Sequence, residues 1–128
     1  MDRRYSYKPV LLLGLLELAN DKGQVTIPDL VRFFKHFYLQ RLENGQIVEQ
    51  STSRLAHITD LTDSDIEHIM LAMPFEKFER RRFVRRQKEL TQLKFEPMLW
   101  RQLNDADRAT LQQMAQTALD LYYDRLTG

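Results

Sequence analysis

Between Lys77 and Lys94 the chain reads KFERRRFVRRQKELTQLK. Eight cationic residues (Lys77, Arg80, Arg81, Arg82, Arg85, Arg86, Lys88 and Lys94) stand there against two acids, Glu79 and Glu89. This local charge of +6 sits in a chain whose total is +1, so the other residues sum to −5. Positive charge gathered into one stretch, with Phe83 and Phe95 at its edges, is the composition of a surface for a polyanion. The chemistry it suits is phosphate contact. Lys77, Arg80, Arg81, Arg82, Arg85, Arg86 and Lys88 are the expected ligands, with Arg32, Lys35 and Arg41 as secondary contacts. The competing reading is a solvated face whose arginines pair with nearby acids, or one that grips an acidic protein.

Other chemistries find little to build on. His36, His57 and His68 are scattered, and the chain has no cysteine. No thiolate zinc site, disulfide framework or cysteine nucleophile is therefore available, and no metal or cofactor is expected. His57 and Asp60 near Asp63 and Asp65 suggest acid–base work or Mg²⁺ binding, but helix capping explains those acids more simply. Four glycines, dispersed along the chain, make no phosphate loop and no nucleophile elbow. The chain reads as non-enzymatic.

At 128 residues, 43% hydrophobic and 29% charged, it has the size and balance of one soluble domain. Its apolar run from Val10 to Ala19 contains Gly14 and Glu17 and is far shorter than the roughly 20 residues of a membrane helix. Arg3, Arg4 and Lys8 precede that run, but Asn20-Asp21-Lys22-Gly23 follows where a leader would show a small-residue cleavage site. A buried helix, no membrane and a cytoplasmic location are expected.

The elements that position the basic stretch follow from local signals. A first helix opens around Tyr7-Lys8-Pro9 and stops at Gly23; Gln24-Val25-Thr26 is a short extended piece. Thr26, with Pro28 and Asp29 behind it, caps a second helix from Pro28 to Leu42, whose Leu30, Phe33, Phe34, Phe37 and Tyr38 form an apolar face. Residues 46–61 show no period and read as an irregular loop. Thr62 and Asp65 start a third helix with Ile66, Ile69, Met70 and Met73 on its inner face, and Pro74 ends or kinks it.

Phe83-Val84 and Leu93-Lys94-Phe95 read as a β-hairpin, although the turn between them lacks an Asn-Gly signal. Alternation along an extended 82–86 turns Phe83 inward with Arg85 tucked beside it, and Arg82 and Arg86 outward. Pro97 to Trp100 begins a short helix, with Trp100 anchoring the hairpin to a last helix capped by Asn104. Leu111, Met114, Ala115, Ala118, Leu121, Tyr122 and Leu126 make the inner stripe of that last helix. One ring of the Tyr122-Tyr123 pair is expected inside, leaving Tyr123 at the surface for a homodimer contact, and Tyr38 is expected to keep its hydroxyl wet.

The fold class is mainly α, a single domain over 1–128 with one small hairpin. Its element order resembles a winged helix. In that arrangement the helix before the wing enters the major groove, from a helix pair joined by three or four residues. About twenty residues separate the pair here, and Asp63, Asp65 and Glu67 give the third helix an acidic outer face. The hairpin edge is therefore the expected contact, with weak sequence specificity.

Several segments together carry a further resemblance: YKPVLLLGLLELANDKGQVTIPDLVRFFKHFYLQR, AMPFEKFERRRFV, LKFEPMLWRQLNDAD and LDLYYDRL. Their order is similar to a small helical accessory domain of bacterial phage-defence and mobile-element systems, found beside restriction-type helicases and nucleases. The matching positions (Lys8-Pro9, Phe37-Tyr38, Pro74-Phe75, Leu99-Trp100, Tyr122-Tyr123) are structural. The resemblance thus implies a DNA-linked accessory role with a helicase or nuclease partner and supplies no active site. The alternative is an adaptor or inhibitor subunit that binds an acidic protein through the same basic face.

Overall fold

A computed structural model describes residues 5–127. Arg3 and Arg4 therefore lie outside the described residues. The chain is mainly α-helical with a small antiparallel sheet. Its elements are α1 (Tyr7–Leu18), β1 (Gln24–Thr26), α2 (Ile27–Glu43), α3 (Asp63–Met70), α4 (Glu76–Arg80), β2 (Val84–Gln87), β3 (Gln92–Phe95), α5 (Pro97–Gln102) and α6 (Asp105–Thr127).

Helix α1 is apolar on nearly every side because it lies at the centre, against α2, α6 and residues 71–75. Gly14 allows the close crossing with α2: a Cβ there would meet Phe33 at 2.9 Å and Leu30 at 3.0 Å. Helix α2 starts at Thr26, whose hydroxyl accepts from the Asp29 amide at 3.3 Å. Helix α3 carries a full capping box, Thr62 accepting from the Asp65 amide and the Asp65 carboxylate accepting from the Thr62 amide. Asn104 and Asp107 exchange the same pair of bonds at the start of α6.

Pro74 does not end the third helix. Residues Leu71–Phe75 widen into a π turn that runs directly from α3 into α4. A proline ring clashes with the carbonyl four residues back and donates no N–H, and the wider turn relieves both problems. Phe75 is thereby buried, and α4 leaves at the angle that carries Lys77, Arg80 and Arg81.

The short extended piece is a third strand. The sheet order is β1-β3-β2, with Val25 opposite Leu93 and Val84 opposite Phe95. Those four side chains form its buried face. The hairpin closes through a four-residue loop, Lys88–Thr91, in which Thr91 takes a left-handed φ of 51°. Loops of this length do not need Asn-Gly. Helix, strand, helix, helix and hairpin follow in that order, with β1 beside β3, and residues 44–62 separate α2 from α3.

Several expectations are corrected. Residues 46–61 are not wholly irregular, since Arg54–Asp60 forms a 3₁₀ segment. The preceding stretch is fastened by a buried polar cluster whose hub, Glu49, is 5% exposed. The Glu49 carboxylate accepts from the Ser6 amide at 2.9 Å, the Gln50 amide at 2.8 Å, the Ser6 hydroxyl and the Tyr122 hydroxyl. Tyr38 is not wet: it is fully buried and bonded to Ser6 Oγ at 2.7 Å. Both tyrosines of the pair are inside, because this segment covers the second flank of α6. Tyr123 donates to the Val48 carbonyl at 2.7 Å and is not placed for a dimer contact. The inner stripe of α6 is rotated accordingly. Ala115, Leu119, Tyr122 and Tyr123 are buried, while Met114 and Leu121 face solvent.

Candidate nucleic-acid interface

The basic residues occupy one continuous path from the end of α4, through the turn at 81–83, along β2 and around the hairpin tip. Arg80 sits one helical turn from Glu76 and pairs with it at 3.0 Å. Arg81 caps the helix C-terminus, where a cation is favoured by the dipole. Arg82 adopts a left-handed φ of 60°, a conformation that side chains other than glycine rarely take.

The two faces of the strand are exchanged relative to expectation. Residue 82 is not extended, so the strand begins at Val84, which is 1% exposed, while Phe83 is 45% exposed. Phe83 therefore points out of the core, opposite to expectation, beside Phe78 with ring centroids 6.4 Å apart. Arg85 is not tucked away. It is exposed and lies 3.9 Å from Glu96. Arg86 shares the pleat of Val84, opposite Leu93, yet reaches solvent on this edge strand.

The ion pairs divide the cluster. Arg80 pairs with the exposed Glu76 and Arg85 with the half-buried Glu96, in surface pairs worth about 0–1 kcal/mol that a phosphate could displace. Arg81, Arg82, Arg86, Lys88 and Lys94 have no salt-bridge partner among the described residues. Arg85 moreover stands directly across from Lys94, and like charges in that relation destabilise a sheet. Two acids of the −5 remainder, Glu76 and Glu96, thus pair with this edge, and Arg81, Arg82 and Arg86 are left without such a partner among the described residues.

The secondary candidates are engaged elsewhere. Arg32 pairs with Asp29, and Lys35 reaches Asp63 at 3.3 Å. Arg41 lies over the Tyr123 ring at 3.4 Å and donates to the Ile47 carbonyl at 2.6 Å. Helix α3 has an equally internal electrostatic role, Asp63 facing Lys35 and Asp65 facing Arg54 at 3.4 Å. The hydrogen bonds from Thr62 hold the Asp65 carboxyl below the usual carboxylate range. Among the described residues no group of His, Asp and Glu is placed to hold a metal ion.

A cleft of about 210 Å³ lies where α1 and α4 meet the turn, lined by Lys8, Lys77, Phe78, Arg81 and Phe83. Lys8 and Lys77 also border a shallower hollow with Tyr5 and Met73. Lys8 was not among the expected contacts. It stands 69 positions before Lys77 in sequence, and only the packing of α1 against the π turn reveals the relation. Phe95, expected at the cluster's edge, is instead buried and stacked on Trp100 at 4.9 Å. Trp100 does tie the sheet to the helices. Its Nε1 donates to the Asp21 carbonyl at 2.9 Å, and the Arg108 guanidinium of α6 covers its ring at 3.9 Å.

No family model, curated protein or solved structure matches this chain. Among the described residues, no helix is long and apolar enough to cross a membrane.

Proposed function

We propose that this chain is a non-enzymatic nucleic-acid-binding accessory protein, contacting the phosphate backbone through the basic edge formed by α4 and the hairpin. One observation carries the reading: Arg81, Arg82, Arg86 and Lys88 are exposed along one path with no carboxylate partner among the described residues. Phosphate contact by such side chains confers affinity and register with weak sequence preference. A bacterial defence or mobile-element system, beside a helicase or nuclease, is the setting that the resemblance of the sequence implies, and a cytoplasmic location is proposed with it.

The test is binding to duplex and single-stranded DNA by the wild type and by an Arg82→Ala/Arg86→Ala variant. Loss of two phosphate contacts should weaken binding about tenfold or more at moderate salt. No binding to any DNA or RNA at about 50 mM salt overturns the proposal. A second reading, an adaptor that binds an acidic protein, is favoured by Leu90, which is 61% exposed at the hairpin tip. A protein partner that co-purifies after nuclease treatment, and is lost in Leu90→Ser, would support it.

A further inference from the structure

Phosphate contact leaves Phe83 unexplained. Its ring forms one wall of the cleft between α1 and α4, with Phe78 beside it and Lys8, Lys77 and Arg81 around it. The residue is firmly held. Its amide donates to the Phe78 carbonyl at 3.0 Å, and its carbonyl accepts from the Glu96 amide at 2.9 Å. The strained φ of Arg82 lies immediately before it, at the turn that sends Val84 to the core and Phe83 to the cleft. The Arg82 amide donates to the Glu79 carbonyl at 2.9 Å, so the left-handed residue closes α4 as a helix stop and fixes the turn that presents the ring among cations.

Bases of a duplex already stack on their neighbours, whereas an unpaired base offers a free π-face. A ring fixed among cations therefore contributes most to a strand whose bases are exposed. We propose that the cleft takes an unpaired base of a single-stranded nucleic acid. The base lies on Phe83, and the adjoining phosphates lie toward Arg81, Lys77 and Lys8. The inference rests on the nucleic-acid reading above and names its ligand class. Acidic peptides would meet the cations but leave the ring without a flat partner.

The experiment measures binding of oligothymidylate, oligouridylate, a DNA duplex and polyglutamate to the wild type, Phe83→Leu and Phe83→Trp. Phe83→Leu keeps the apolar bulk at a half-exposed site and is expected to fold; far-ultraviolet circular dichroism checks this. Single strands should bind more tightly than duplex at equal salt. Phe83→Leu should weaken the single strand about tenfold, the loss of one stacked base, without changing duplex affinity. Phe83→Trp should retain binding, with its added fluorescence quenched by the strand. Tighter binding of either the DNA or the RNA strand supports the proposal, and the preference identifies its source. Duplex affinity equal to single-strand affinity, with Phe83→Leu silent and Phe83→Trp unquenched, overturns it while leaving the nucleic-acid reading intact. Polyglutamate bound as tightly as oligothymidylate overturns it too. Failure of every nucleic acid overturns both.

Discussion

Arg82 combines a conformational cost with a proposed phosphate contact. Holding a side chain other than glycine at a φ of 60° costs about 1–2 kcal/mol. Glycine accepts that φ freely but adds roughly 0.4–1 kcal/mol of unfolded-state entropy. Arg82→Gly should therefore stabilise the fold by about 0.5–1 kcal/mol in urea denaturation while weakening nucleic-acid binding. A destabilised variant would show that the arginine makes compensating contacts. The residues after it mark the limit of what the sequence disclosed. The composition of 77–94 showed where the cations gather, and alternation held from Phe83 to Arg86, but of the adjacent apolar pair Phe83-Val84 it is Val84 that turns inward, a choice that alternation alone cannot make. Lys8 carried no local signal at all, since its place in the cleft comes from packing between distant segments.

At the scale of elements, the caps were the most legible features. Thr26, Thr62 and Asn104 each bond the amide three residues on, as their spacing implied. Capping is local, so sequence suffices for it. The π turn at Pro74 and the fastening of residues 46–53 depend on what packs around them, and periodicity is silent there. The small sheet hangs on one such contact. Gly23 has a φ of +75°, its carbonyl accepts from the Phe95 amide at 2.9 Å, and a Cβ would come within 2.9 Å of the Trp100 ring. Gly23→Ala combines backbone strain with a clash against a buried ring, and should cost about 2–3 kcal/mol. Thermal denaturation measures this, and a neutral effect would mean that Trp100 can move aside. If the sheet carries the basic edge, binding should weaken in the same variant.

Over the whole molecule, α1, α2, α6 and the 46–53 segment are joined by buried tyrosines rather than by apolar contacts alone. Burial raises Tyr7 to about 12 and Tyr123 to about 12, and pushes Tyr38 and Tyr122 upward as well. An unfolded tyrosine ionises near pH 10. Below that value both states are protonated, and the stabilisation from these four residues is complete. Between pH 10 and about 12 the unfolded chain loses protons that the fold retains. Stability then falls by roughly 1.4 kcal/mol per pH unit for each tyrosine. In a Tyr5→Phe variant, which leaves only these four tyrosines, circular dichroism and phenolate absorbance should therefore change together, in one cooperative step above pH 10. Phenolate appearing without loss of helix would show that the hydroxyls are open to solvent.

The proposed function requires that the exposed arginines of α4 and the hairpin neutralise phosphates. The most direct measurement is the slope of log binding constant against log salt on a single-stranded oligonucleotide, for the wild type and for Arg82→Ala/Arg86→Ala. Each phosphate contact on a single strand contributes about −0.7 to that slope. The double variant should therefore bind more weakly, with a slope shallower by about 1.4. Equal slopes for the two proteins, or wild-type binding that does not respond to salt, would contradict the claim.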